Sequence, residues 1–126
     1  MTTVHCTAAL NTPHSACHNS FKEKGIVKVH WETWSDCNLG CAFCYRSIAT
    51  PLTTAKAKKL LSALSWCGVN TVVFAGGDPT LRKDLPELIS FAAKLLLKVE
   101  VQTNAHFLPH DTEQSLLSDD VDLIGL

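Results

Sequence analysis

The chain has 126 residues, 46% apolar and 18% charged, the composition of an ordinary globular domain and not of a disordered, collagen-like or coiled-coil chain. Eleven basic against twelve acidic side chains leave a net charge of −1, which gives no electrostatic footprint for nucleic acid or an anionic membrane surface. The longest apolar stretch, Leu88 to Leu97, contains Lys94 and is too short to span a bilayer, and Met1 to Leu10 lacks the basic start and apolar run of a secretory signal. The expected location is therefore cytoplasmic, where thiols stay reduced and the six cysteines need a role other than disulfides.

Residues 1–25, rich in Thr, Asn, Ser, His and Ala without a sustained period, read as a poorly ordered leader; residues 26–126 read as one domain. Ile26 to Trp31 is β-branched and roughly alternating, a strand. Residues 34–52 form a loop ending at Pro51. Over Thr53 to Leu64, the residues Ala57, Leu60, Leu61 and Leu64 fall on one helical face, with Thr53 or Thr54 as cap and Gly68 just past the end. Thr71 to Ala75 is a short apolar run, as for a strand buried on both faces, and Gly76-Gly77-Asp78-Pro79 breaks it. Asp84 to Leu97 reads as a second helix, with Asp84 and Glu87 as a capping-box-like pair, Pro86 in the first turn and Leu85, Leu88, Ile89, Ala92, Leu95 and Leu96 on its apolar face. Val99 to Thr103 is a third strand, residues 112–118 a short helix, and Val121 to Leu126 the start of a fourth buried strand.

Strands alternating with helices imply right-handed crossovers and a parallel sheet. A closed (β/α)8 barrel takes about 250 residues, so the expected fold is α/β, a partial (β/α) barrel of about four parallel strands truncated at the C-terminus. A complete four-stranded open sheet is the alternative.

Chemistry concentrates in Cys37-Asn38-Leu39-Gly40-Cys41-Ala42-Phe43-Cys44. Three thiolates in eight residues converge on one metal centre only if the loop wraps around it, which Gly40 eases. Four cysteines usually hold a [4Fe–4S] cluster; three leave one iron open, and open coordination marks chemistry more than structure. Other readings stand beside this one: a Cys3His zinc site with His30 or a leader histidine as fourth ligand, or an electron-transfer cluster completed by Cys67. Position favours the open cluster. The loop follows the first strand, Gly76-Gly77-Asp78-Pro79 the second and Thr103-Asn104 the third, and ligands of parallel sheets sit at the carboxyl ends of strands.

At these residues the sequence resembles the radical S-adenosylmethionine (radical SAM) superfamily, whose C-x3-C-x-Φ-C motif after the first strand is matched in full by Cys37, Cys41, Phe43 and Cys44. Its Gly-Gly-Glu-Pro motif reads Gly76-Gly77-Asp78-Pro79 here, and its Thr-Asn-Gly reads Thr103-Asn104-Ala105. The resemblance covers about residues 26–126. It implies that Cys37, Cys41 and Cys44 bind three irons of a [4Fe–4S] cluster, and that S-adenosyl-L-methionine chelates the fourth. Phe43 would lie beside the adenine, Gly76, Gly77 and Asp78 would meet the methionine ammonium, and Asn104 would face cofactor or substrate. Because Asp78 is one methylene shorter than Glu, a backbone contact to the ammonium is expected before a carboxylate one. The implied activity is reductive cleavage to a 5′-deoxyadenosyl radical that abstracts hydrogen from a substrate, served by an electron donor such as a flavodoxin or ferredoxin. The family core usually has six strand–helix units, so this chain reads as a fragment with an apolar unpaired edge at Val121 to Leu126. A non-catalytic zinc or iron–sulfur module, or an inactive remnant, is the competing reading, and the substrate is not legible. Cys6 and Cys17 fit no metal motif and read as surface residues, Cys67 as packed; Trp31 and Trp34 would shield the loop or pack in the core.

Overall fold

A computed structural model describes residues 28–46 and 49–126; the leader expected over residues 1–25, and Cys6 and Cys17 within it, lie outside the described residues. Four strands, β1 (Lys28–Trp34), β2 (Thr71–Gly76), β3 (Lys98–Gln102) and β4 (Leu123–Gly125), form one sheet in the order β1-β2-β3-β4. Every neighbouring pair is parallel. Three helices connect them, α1 (Thr54–Trp66), α2 (Leu85–Lys94) and α3 (His110–Leu116), with a 3-10 turn at Pro79–Leu81. This is the partial (β/α) barrel read from the sequence.

The core follows from the two periodicities. Val29, Val72, Phe74, Val99 and Val101 point from alternate strand positions into one cluster with Leu60, Leu61 and Leu64 of α1, Leu85, Leu88 and Ile89 of α2 and Leu116 of α3. The helices therefore share one face of the sheet. Each fully buried aliphatic side chain contributes about 1.5–3 kcal/mol. Central β2 is buried on both faces, with Val72, Val73 and Phe74 all at 0% exposure. The Thr53 hydroxyl caps α1 by accepting from the Lys56 N–H at 3.4 Å, and Gly68 takes a left-handed φ of 86° just beyond its end. Trp31 packs on Phe74, ring centroids 5.5 Å apart, so it serves the core.

Four expectations are corrected. Helix α2 stops at Lys94 rather than Leu97. Leu96 takes a φ of 60°, which swings its side chain out to 90% exposure, while Leu97 resumes the core at 4%. The capping box does not form: the Asp84 side chain makes no cap bond because Arg82 and Thr54 engage it, and Glu87 pairs instead with Lys58 of α1. β4 is three residues long with Leu123 and Ile124 exposed, not a buried strand, since within the described chain it pairs with β3 alone. Finally, Cys37, Cys41 and Cys44 are free thiols, but buried Cys67 is disulfide-bonded.

Candidate functional site

In a parallel sheet all strands end on the same rim, so the segments after β1, β2 and β3 become neighbours. The junction of the first two is main chain on main chain. The Gly77 N–H donates to the Trp34 carbonyl at 2.6 Å and the Asp78 N–H to the Asp36 carbonyl at 2.8 Å. A bulge between Glu32 and Trp34 brings Trp34 opposite Gly76. Side chains do not fit here: a Cβ on Gly76 would strike the Trp34 carbonyl and one on Gly77 the Asp36 carbonyl, and Gly76 has a φ of 125°. The two glycines thus carry the root of the cysteine loop against the end of β2.

Asp78 is 1% exposed. Its carboxylate accepts from the Thr80 N–H (3.0 Å) and hydroxyl (2.7 Å), from the Thr103 hydroxyl (2.9 Å) and from the Asn104 N–H (3.0 Å). Four donors saturate it, and it ties the end of β2 to the end of β3. A carboxylate so engaged is a brace, with its acceptor positions already taken by donors from this chain.

The third segment closes the corner. The Asn104 amide Nδ2 donates to Asn38 Oδ1 at 2.9 Å and lies 3.5 Å from Cys37 Sγ. The turn is tightened by Ala105 N–H on the Thr103 hydroxyl and His106 N–H on Asn104 Oδ1. Ala105, where the resembled motif has Gly, adopts a φ of 51°, a conformation that glycine occupies without penalty.

A residue with no local sequence signal holds the loop from behind. Arg82, 2% exposed, donates to the Thr33 carbonyl (2.9 Å) at the end of β1 and to the Leu52 carbonyl (2.8 Å) where the loop returns. It also forms a two-pronged pair with Asp84 at 2.7 and 2.9 Å. Asp84 in turn accepts the Thr54 hydroxyl at the start of α1 (2.6 Å). Burial pushes the Asp84 carboxyl up, but hydrogen bonds from Arg82 and Thr54 and the Arg82 charge outweigh it and hold the group below its ordinary range. Ser35 closes the base of the loop, donating its hydroxyl hydrogen to the Ala49 carbonyl and accepting the Ala49 N–H.

The structure therefore gathers Cys37, Gly76, Gly77, Asp78 and Asn104 in one corner. Cys41 and Cys44 lie further out on the exposed loop, joined by the turn bond from Cys44 N–H to the Cys41 carbonyl, and Phe43 is 86% exposed. No three His, Cys, Asp or Glu side chains are gathered to hold a metal ion among the described residues. The donor set nonetheless fits the implied cluster. It offers three free soft thiols, with nothing within 4 Å of a Cβ at Gly40 to oppose wrapping. The buried donors Trp34 Nε1 and Arg46 Nη1, at the two ends of the cysteine segment, have no acceptor among the described residues, a surplus suited to an anionic group. His30 sits exposed on β1. Cys67, at the far end of α1, lies toward the opposite ends of the strands from the loop, because a crossover helix runs back against its strand. Neither completes a fourth ligand.

Comparison with known proteins bears on the family and the fold. The Radical SAM superfamily matches residues 31–123. The chain is 31% identical over 110 residues to the Fe-coproporphyrin III synthase of Methanosarcina barkeri, covering 83% of this chain and 27% of that protein. It is 39% identical over 80 residues to the PqqA peptide cyclase of Bradyrhizobium diazoefficiens, covering 60% and 21%. In fold it resembles Streptococcus suis SuiB bound to S-adenosylmethionine, with a TM-score of 0.67 and 24% identity over 83% of this chain and 25% of that one. The chain thus spans about a quarter of the length of these proteins.

Proposed function

The chain belongs to the radical SAM superfamily, and from that premise we propose that it is the N-terminal portion of a radical SAM enzyme core, covering residues 26–126. Cys37, Cys41 and Cys44 would bind a [4Fe–4S] cluster, with the open iron taken by S-adenosyl-L-methionine. When bound, these groups supply the electron and the 5′-deoxyadenosyl radical that abstracts hydrogen from a substrate. The chain's own residues do the rest. Gly76 and Gly77 let main chain meet main chain, so their strand end supports the cysteine loop and presents backbone acceptors to the ammonium. Asp78 fixes that strand end. Phe43, exposed on the loop, would cover the adenine. Arg82, Asp84 and Ser35 hold the loop's two roots while its tip wraps.

The observation that carries this reading is the junction of the two motifs: Gly77 and Asp78 donate their N–H groups to Trp34 and Asp36, directly before Cys37. The electron donor would be a small flavodoxin- or ferredoxin-type protein. No helix among the described residues is long and apolar enough to cross a membrane. The curated relatives' names cover a porphyrin synthase and a peptide cyclase, so no substrate class is assigned.

The test is electron paramagnetic resonance on the anaerobically reconstituted, dithionite-reduced chain with and without S-adenosylmethionine. A [4Fe–4S] signal that shifts on addition, and is lost in Cys37→Ser, Cys41→Ser and Cys44→Ser, is expected. A colourless protein holding one zinc, or a cluster indifferent to S-adenosylmethionine, would overturn the reading.

A further inference from the structure

We infer that Asn104 sets the redox potential of the centre held by Cys37, by donating a hydrogen bond from its side-chain amide to the Cys37 sulfur. The inference rests on the proposed function and adds a residue-level control to it.

The orientation of this amide is forced. Asn104 Oδ1 receives the His106 N–H at 2.8 Å, and a backbone N–H only donates, so the oxygen must face His106. The NH2 group must then face Cys37 Sγ at 3.5 Å and Asn38 Oδ1 at 2.9 Å, each of which accepts. The residue is also held from behind, since its own N–H is bound by the buried Asp78 carboxylate at 3.0 Å. Backbone, amide oxygen and amide nitrogen are thus all committed, and the donor is aimed at the sulfur before any ligand arrives. A donor at a ligating sulfur stabilises the more negative, reduced state over the oxidised one, and hydrogen bonds to sulfur are among the terms that set cluster potentials. Asn104 is therefore a positioning residue acting through Cys37, and β3 contributes to the electronics of a centre held by the loop after β1.

The experiment is a redox titration, followed by electron paramagnetic resonance, of the reconstituted wild-type chain, Asn104→Leu and Asn104→Asp. Leu removes the donor without adding charge; Asp removes it but keeps the oxygen that holds the His106 N–H. Both variants should retain wild-type iron and sulfide. Both should show about a tenfold lower reduced-to-oxidised ratio at a fixed potential, ~59 mV for one electron. An intact cluster with an unchanged midpoint in Asn104→Leu overturns the inference, a shift in Asn104→Asp alone then being the effect of its charge, and leaves the proposed function standing. A wild-type chain that assembles no cluster overturns both. If a variant loses its cluster, the Asn38→Asp chain labelled with 15N at asparagine side-chain amides decides: a nitrogen coupling on the reduced centre upholds the bond, and its absence overturns it.

Discussion

The Asp78 carboxylate and the Thr103 hydroxyl meet at 2.9 Å beneath the rim, both almost fully buried. One short side chain at the end of β2 thereby fixes the end of β3. Two of its four donors are the fixed backbone N–H groups of Thr80 and Asn104, and an asparagine would offer one acceptor oxygen where the carboxylate offers two. Asp78→Asn should therefore destabilise the chain by about 1–3 kcal/mol, the cost of an unsatisfied buried donor, read by urea unfolding. A change within 0.3 kcal/mol, about the error of such comparisons, would show that the brace is dispensable.

Gly77→Ala should cost about 1–3 kcal/mol through overpacking, because the carbonyl it strikes belongs to the main chain of Asp36 and cannot swing away. Gly40→Ala, with open space around it, should stay within about 0.5 kcal/mol. Thermal melts of the pair check the contrast; equal losses would remove the close-approach explanation.

Arg82→Met should destabilise by about 3 kcal/mol, the lower end for removing one partner of a buried ion pair, because Asp84 keeps part of its exposure. Arg82→Lys should recover little, since an ammonium cannot reach the Thr33 and Leu52 carbonyls and both Asp84 oxygens from one position. Proteolysis within residues 35–51 should quicken in both variants. Unchanged cleavage would show that the loop roots do not depend on Arg82.

The Asp84 carboxyl titrates lower in the folded chain than in an unfolded one, so the folded state favours its ionised form. Its contribution is complete above the ordinary aspartate range, about 3.9, and is lost as pH falls through the lowered folded value. Asp84→Asn should thus be weaker than wild type at neutral pH, with the gap closing on acidification. A gap independent of pH would assign the effect to packing alone.

Ala105 holds a left-handed conformation that costs an L-residue about 1–2 kcal/mol, whereas glycine there loses up to about 1 kcal/mol through the unfolded state. Ala105→Gly should give a net gain of roughly 0.5–1 kcal/mol by the same two terms, measured by urea midpoint. A loss would mean that the side-chain bonds of Thr103 and Asn104 relieve the strain.

The periodic elements were legible because their signals are local. The i, i+3, i+4 spacing of Ala57, Leu60, Leu61 and Leu64 placed a face of α1, and the run at Val72 to Phe74 placed a strand buried on both sides. The cysteine and glycine motifs were legible for the same reason. What escaped was long-range. Arg82 is one arginine in a turn until Thr33 and Leu52 supply carbonyls, and Asn104 lies 67 residues from the sulfur it faces. Competition also escaped notice: Asp84 and Glu87 have the spacing of a capping box, yet stronger partners arrive from Arg82 and Lys58. In the sequence the glycines mark the break after the second strand, and their second purpose, admission of another main chain, shows only when Asp36 is beside them.

The strands stand in the sheet in the order in which they occur along the chain, and this has a consequence for biosynthesis. Chains begin to fold from the N-terminal side as they are made. β1 and β2 can pair, and the Gly77–Trp34 junction can close, while β3 is still inside the ribosome. Asp78 at that stage lacks Thr103 and Asn104 and must stay hydrated. Emergence of β3 then dehydrates and locks it. The cysteine loop is thus seated on a half-finished support, and the last lock is turned by the segment that also brings Asn104 to Cys37.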